Sequence, residues 1–130
     1  MTTMMERTRQ LHFVEPLPGF AGEDEYTLEP IDPRGLLFSL RAVNEPSLRF
    51  VLTPAEAFFD DYNPDVAGAV APVLGGEDIS LLLVLTLGVG LADATANLRA
   101  PIAVSASTGR AVQVVIDDET LPMRERIVRR

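Results

Sequence analysis

The chain has one histidine and neither cysteine nor lysine, so most of the usual chemistry of catalysis is closed to it. His12 lies between Leu11 and Phe13. In a strand it faces opposite to both, as a structural or solvent-facing histidine. No Gly-x-Ser-x-Gly elbow is present on which a Ser–His–Asp triad would stand. Carboxylates cluster at Glu23-Asp24-Glu25, Asp60-Asp61 and Asp117-Asp118-Glu119. Acid–base work needs one carboxyl with a shifted pKa facing another across a cleft. Neighbours in a turn rarely achieve that, and none of the three clusters fits the calcium-binding loop pattern. They read as solvated turns. Gly88-Val89-Gly90 lacks the third glycine of a dinucleotide-binding turn, and a phosphate loop of the Walker type needs a lysine. The expectation is a protein without catalytic residues, metal or cofactor.

Two stretches are better suited to binding than to chemistry. Phe58-Phe59-Asp60-Asp61-Tyr62 joins three aromatic rings to two acids, the composition of an interface anchor with a charged rim. A second reading has Phe58 or Phe59 plugging one end of the core, and adjacent residues can serve both ends. Asn97 stands just before an Arg-Ala-Pro corner. Its short amide can bond backbone groups and hold an irregular turn, or it can meet a partner. Phe58, Phe59, Asp60, Asp61, Tyr62 and Asn97 are therefore the candidate partner-binding residues.

Charge narrows the choice of partner. Net charge is -8, and between Glu15 and Asp78 thirteen acids stand against Arg34, Arg41 and Arg49. The C-terminal Met123–Arg130 reverses the sign, with four arginines and one glutamate. So acidic a body repels phosphates, which argues against direct nucleic-acid binding; it either favours encounter with a basic protein or serves solubility alone. The longest apolar run, Ile79–Leu91, is too short to span a bilayer and contains two glycines. No apolar region follows the N-terminal arginines as in a signal peptide. These features are those of a cytoplasmic protein that is not bound to a membrane.

The elements that must position these residues read as strands. Leu11–Val14, Tyr26–Leu28, Leu36–Leu40 and Leu48–Leu52 are short apolar runs separated by turn chemistry, including Asn44-Glu45-Pro46-Ser47. Thr53-Pro54-Ala55-Glu56 is a capping pattern for a single helical turn. Val66–Leu74 is ambiguous: alanines favour a helix, while Gly68 and Pro72 oppose a long one. Ile79–Leu87 suits a strand buried on both faces, and Ile102–Ser105 with Ala111–Ile116 makes a final hairpin. The expected fold is all-β: a small closed or split β-barrel in a single domain over 10–124, with one or two short helical turns and loosely ordered ends at 1–9 and 125–130.

Several motifs then fall into one order. Pro18-Gly19-Phe20, Phe50-Val51-Leu52-Thr53-Pro54 with Phe59-Asp60-Asp61-Tyr62, and Thr95-Ala96-Asn97-Leu98-Arg99-Ala100-Pro101-Ile102 followed by Gln113-Val114-Val115 resemble the flagellar assembly factor FliW family, from about Phe13 to Arg124. The chain departs from that pattern at Ser39-Leu40-Arg41 and at Asp60-Asp61-Tyr62. The resemblance implies a barrel-like cytoplasmic protein with no catalytic activity. It also implies two partners, flagellin before its export and the carbon storage regulator CsrA, which represses flagellin translation. The alternative is a split-barrel flavin-binding protein or oxidoreductase, whose phosphate would sit on Ser105-Ala106-Ser107-Thr108-Gly109-Arg110.

Overall fold

The computed structural model of the chain describes residues 8–59, 61–88 and 93–127. Nine strands and two short helices run through them: β1 (Arg9–Phe13), β2 (Glu25–Pro30), β3 (Phe38–Ala42), β4 (Arg49–Pro54), α1 (Ala55–Phe58), α2 (Ala67–Leu74), β5 (Ile79–Thr86), β6 (Thr95–Ala96), β7 (Ile102–Ser105), β8 (Arg110–Gln113) and β9 (Glu125–Arg126). The sheet order is β4-β3-β2-β1-β8-β7-β5-β6-β9, and β4 also pairs with β5. That extra pairing closes seven strands into a barrel and leaves β6 and β9 as an extension. The described pairings are antiparallel except β1 with β8, which is parallel and joins the N-terminal strand to the late hairpin. Closure removes the exposed edges that an open sheet of this size presents.

The barrel interior follows from period-two alternation. Leu11 and Phe13 of β1, Tyr26 and Leu28 of β2, Phe38 and Leu40 of β3 and Leu52 of β4 all point inward and are fully or almost fully buried. The Phe13 and Tyr26 rings meet edge to face, with centroids 5.0 Å apart. β5 alternates in direction but not in polarity: Leu82 and Val84 face the interior, while Leu83 and Leu85 enter a second core outside the barrel with Ala55, Phe59, Ala96, Leu98 and Ile127. The strand is apolar on both faces because both are covered. A third, smaller core forms where Val70 and Leu74 of α2 cover the outward Ala103 and Val112.

One open reading is decided and one expectation is corrected. The ambiguous Val66–Leu74 stretch is helical from Ala67 with Pro72 inside it, because burial of Val70 and Leu74 outweighs the local cost of proline and glycine. Thr53 does not cap α1, which has no side-chain cap. Thr53 is fully buried on β4, and its hydroxyl instead donates to the Leu36 carbonyl at 2.7 Å, as a buried polar group must find the nearest acceptor. The sheet also runs beyond 10–124 at both ends: Arg9 belongs to β1, β9 pairs with β6 through Glu125 and Arg126, and Ile127 is buried.

Candidate functional site

The single turn of α1 delivers two rings in different directions. Phe59 is buried in the outer core at 4% exposure, whereas Phe58 is half-buried and packs on its edge. The chain then turns, with the Tyr62 amide donating to the Phe59 carbonyl at 3.2 Å. Tyr62 is half-buried, and its hydroxyl donates to the Leu98 carbonyl at 2.6 Å. Burial pushes the Tyr62 phenol up to about 12. Asp61 is exposed beside it. Asp60 lies outside the described residues.

The Asn97 corner is built from backbone bonds. The Asn97 side-chain oxygen accepts the Arg99 amide at 3.0 Å, and its own amide donates to the Val84 carbonyl at 3.1 Å. The Leu98 amide donates to the Pro122 carbonyl at 3.0 Å, and the Arg99 guanidinium donates to the carbonyls of Leu121 and Glu119. The backbone of Leu98 thus holds the aromatic loop on one side and the C-terminal segment on the other.

A cavity of about 780 Å³ opens between these three segments. Phe58, Phe59, Tyr62 and Leu98 are among its walls, together with Ile116 and Leu121. Asp61, Asp65 and Asp118 give it an acidic rim. Hydrogen bonds from the Thr120 hydroxyl and then its amide, aided by the Arg99 charge, hold the Asp118 carboxyl below the usual carboxylate range. A smaller cavity of about 260 Å³ shares Tyr62, Asn63, Pro64 and Val66 with the larger one. Of the candidate binding residues described, Phe58, Phe59, Asp61 and Tyr62 come together here. Asn97 does not line the cavity and supports it through Leu98. Asp65, Ile116, Asp118 and Leu121 join them in the lining and are not candidate binding residues by sequence. Asp118 stood in a carboxylate cluster read as a solvated turn, and no local signal ties it to Tyr62.

The other chemical candidates resolve differently. The Ser105–Arg110 loop, the phosphate position of the alternative reading, already holds an anion from within: Ser105 and Ser107 donate to Asp78 at 3.2 and 3.0 Å. Desolvation raises Asp78, but these serine hydrogen bonds outweigh it and leave its carboxyl below the ordinary value. Thr108 donates to the Leu74 carbonyl at 2.7 Å and so fastens the turn to the end of α2. His12 is exposed, as its place in β1 requires, and contacts Glu25 on β2. Among the described residues no helix is long and apolar enough to cross a membrane.

Fold and site together define a small closed β-barrel that carries, on its outer face, an aromatic cavity with an acid rim. The family model of the FliW protein matches residues 2–127, and the chain belongs to the FliW family. Among similar proteins, the flagellar assembly factor FliW of Syntrophotalea carbinolica is 35% identical over 107 residues, 81% of this chain and 76% of that protein. The flagellar assembly factor FliW of Shouchella clausii is 33% identical over 111 residues, 83% of this chain and 76% of that protein. The one from Bacillus licheniformis is 29% identical over 121 residues, 91% and 85%. A crystal structure of a flagellar assembly factor FliW superposes with a TM-score of 0.82 at 28% identity, covering 93% of this chain and 86% of that one.

Proposed function

We propose that this chain is a cytoplasmic flagellar assembly factor that acts by protein–protein binding. It holds flagellin before export and, when flagellin leaves, binds CsrA and lifts its repression of the flagellin message. The observation that carries this reading is the Tyr62–Leu98 hydrogen bond. It joins two separate motifs of the FliW resemblance at one cavity, with an apolar interior to take an anchor residue and carboxylates to meet a basic rim. The chain itself, at net charge -8, acts on the message through CsrA and not by touching RNA.

Purified chain mixed with flagellin and with CsrA from the same organism tests this by calorimetry and pull-down. Binding to both is expected, with one displacing the other; binding to neither overturns the proposal. Phe58→Ala is expected to weaken partner binding by more than about 1 kcal/mol while the circular dichroism stays native. Phe59→Ala instead destabilises the fold by about 3 kcal/mol, because it empties a core position. Unchanged affinity in Phe58→Ala would remove the cavity as the docking surface.

A further inference from the structure

On the barrel wall formed by β1 and β2, His12, Asp24 and Glu25 offer one imidazole nitrogen and two carboxylate oxygens that lie within 4.8 Å of one another. The β1–β2 register places His12 directly opposite Glu25, so both side chains leave the same outer face of the sheet. Asp24 precedes β2, and its carbonyl accepts the Phe13 amide at 2.7 Å, which fixes its backbone beside the pair. The position is therefore set by strand geometry, with β1 held in the ring between β2 and β8. Among the described residues none of these carboxylates meets an arginine within ion-pair distance; the ion pair found there is His12 with Glu25. On the other side of β1, the β1–β8 register sets Arg110 opposite His12.

The geometry points to a mononuclear site for a divalent first-row transition-metal ion on His12, Asp24 and Glu25. An ion about 2.1 Å from each ligand atom needs only small side-chain rotations from the present spread. One nitrogen and two oxygens suit Zn²⁺, Mn²⁺ or Co²⁺ better than Ca²⁺ or Mg²⁺, which prefer all-oxygen shells. The His12 and Glu25 side chains are 48% and 44% exposed, so water fills the remaining positions. The bound ion clips the β2 approach turn to β1 and stabilises the barrel by mass action. This site lies apart from the partner cavity and does not depend on its function.

The test uses tag-free full-length protein titrated with Zn²⁺, followed by calorimetry, melting temperature and NMR. Because the chain has one histidine, its imidazole signals report on His12 alone. Binding at one ion per chain, movement of the His12 signals and a rise in melting temperature are expected. His12→Gln and Asp24→Asn should each weaken binding by at least about tenfold, whereas Asp117→Asn should bind as the natural chain does. All three replaced residues are exposed, and Asp24→Asn still decides the matter should His12→Gln fold poorly. Unmoved His12 signals, or an Asp24→Asn variant that binds as tightly as the natural chain, would overturn the site.

Discussion

The Tyr62 hydroxyl links the aromatic loop to the Leu98 carbonyl over 2.6 Å. Tyr62→Phe keeps the ring and removes the donor, so a loss of about 1 kcal/mol is expected in denaturant unfolding. Burial of the same phenol has a pH signature. The folded phenol titrates at about 12 against an ordinary value of 10.0, so the fold favours the protonated form. Its contribution is full below the unfolded value and is lost as pH rises through the folded one. Phenolate absorbance should therefore appear late for Tyr62, and Tyr62→Phe should lose less stability than the natural chain across that alkaline interval. The presence of a ring beside acids was legible in the sequence. Its acceptor was not, because Leu98 lies 36 residues away and a backbone carbonyl carries no residue-specific signal.

At the scale of elements, the joint between α2 and β5 is closely packed at its glycines. Gly75 ends the helix at φ 76°, a left-handed position that favours glycine. A Cβ on Gly76 would come within 2.6 Å of both Ser105 and Ser107 hydroxyls. Gly76→Ala is expected to cost about 1–3 kcal/mol, because it forces those serines off Asp78, and chemical denaturation would show it. β9 is equally informative. Ile127 is 5% exposed in the outer core beside Leu85 and Leu98, so Ile127→Ala should destabilise by about 2 kcal/mol or more, measured by thermal unfolding. The strands were readable because each carries its own alternation of apolar residues or its own turn signals. β6 and β9, two residues each, are too short to carry any period. α2 was unreadable for another reason: its alanines favour a helix while Gly68 and Pro72 oppose one, and the apolar wall of β7 and β8 decides between them.

At the scale of the whole molecule, charge and closure act together. Thirteen acids against three arginines between Glu15 and Asp78 give the body a long-range negative field, and the cavity rim adds Asp61, Asp65 and Asp118 where a partner would dock. Association with a basic partner should slow as ionic strength rises, since steering is screened beyond about 8–10 Å, while dissociation changes less. Stopped-flow or surface-based kinetics over a salt series checks this, and a salt-independent on-rate would show that the field plays no part. The ring itself rests on a parallel pairing of His12 and Phe13 with Arg110 and Ala111, which brings together segments almost a hundred residues apart.

Local alternation, turn residues and an ordered set of motifs were enough to establish an all-β barrel of the FliW kind and the strand that begins at Ile79, and they marked out an aromatic-acidic loop. Each of those properties is written in residues close together along the chain. Tertiary structure alone decided that β4 closes on β5, that Phe59 enters the core while Phe58 faces the cavity, and that Asp118 joins Asp61 at one rim. It alone set His12 beside Asp24 and Glu25. Those outcomes depend on strand register and on contacts between distant segments. Their energy comes from burial and hydrogen bonds that exist only once the barrel has closed.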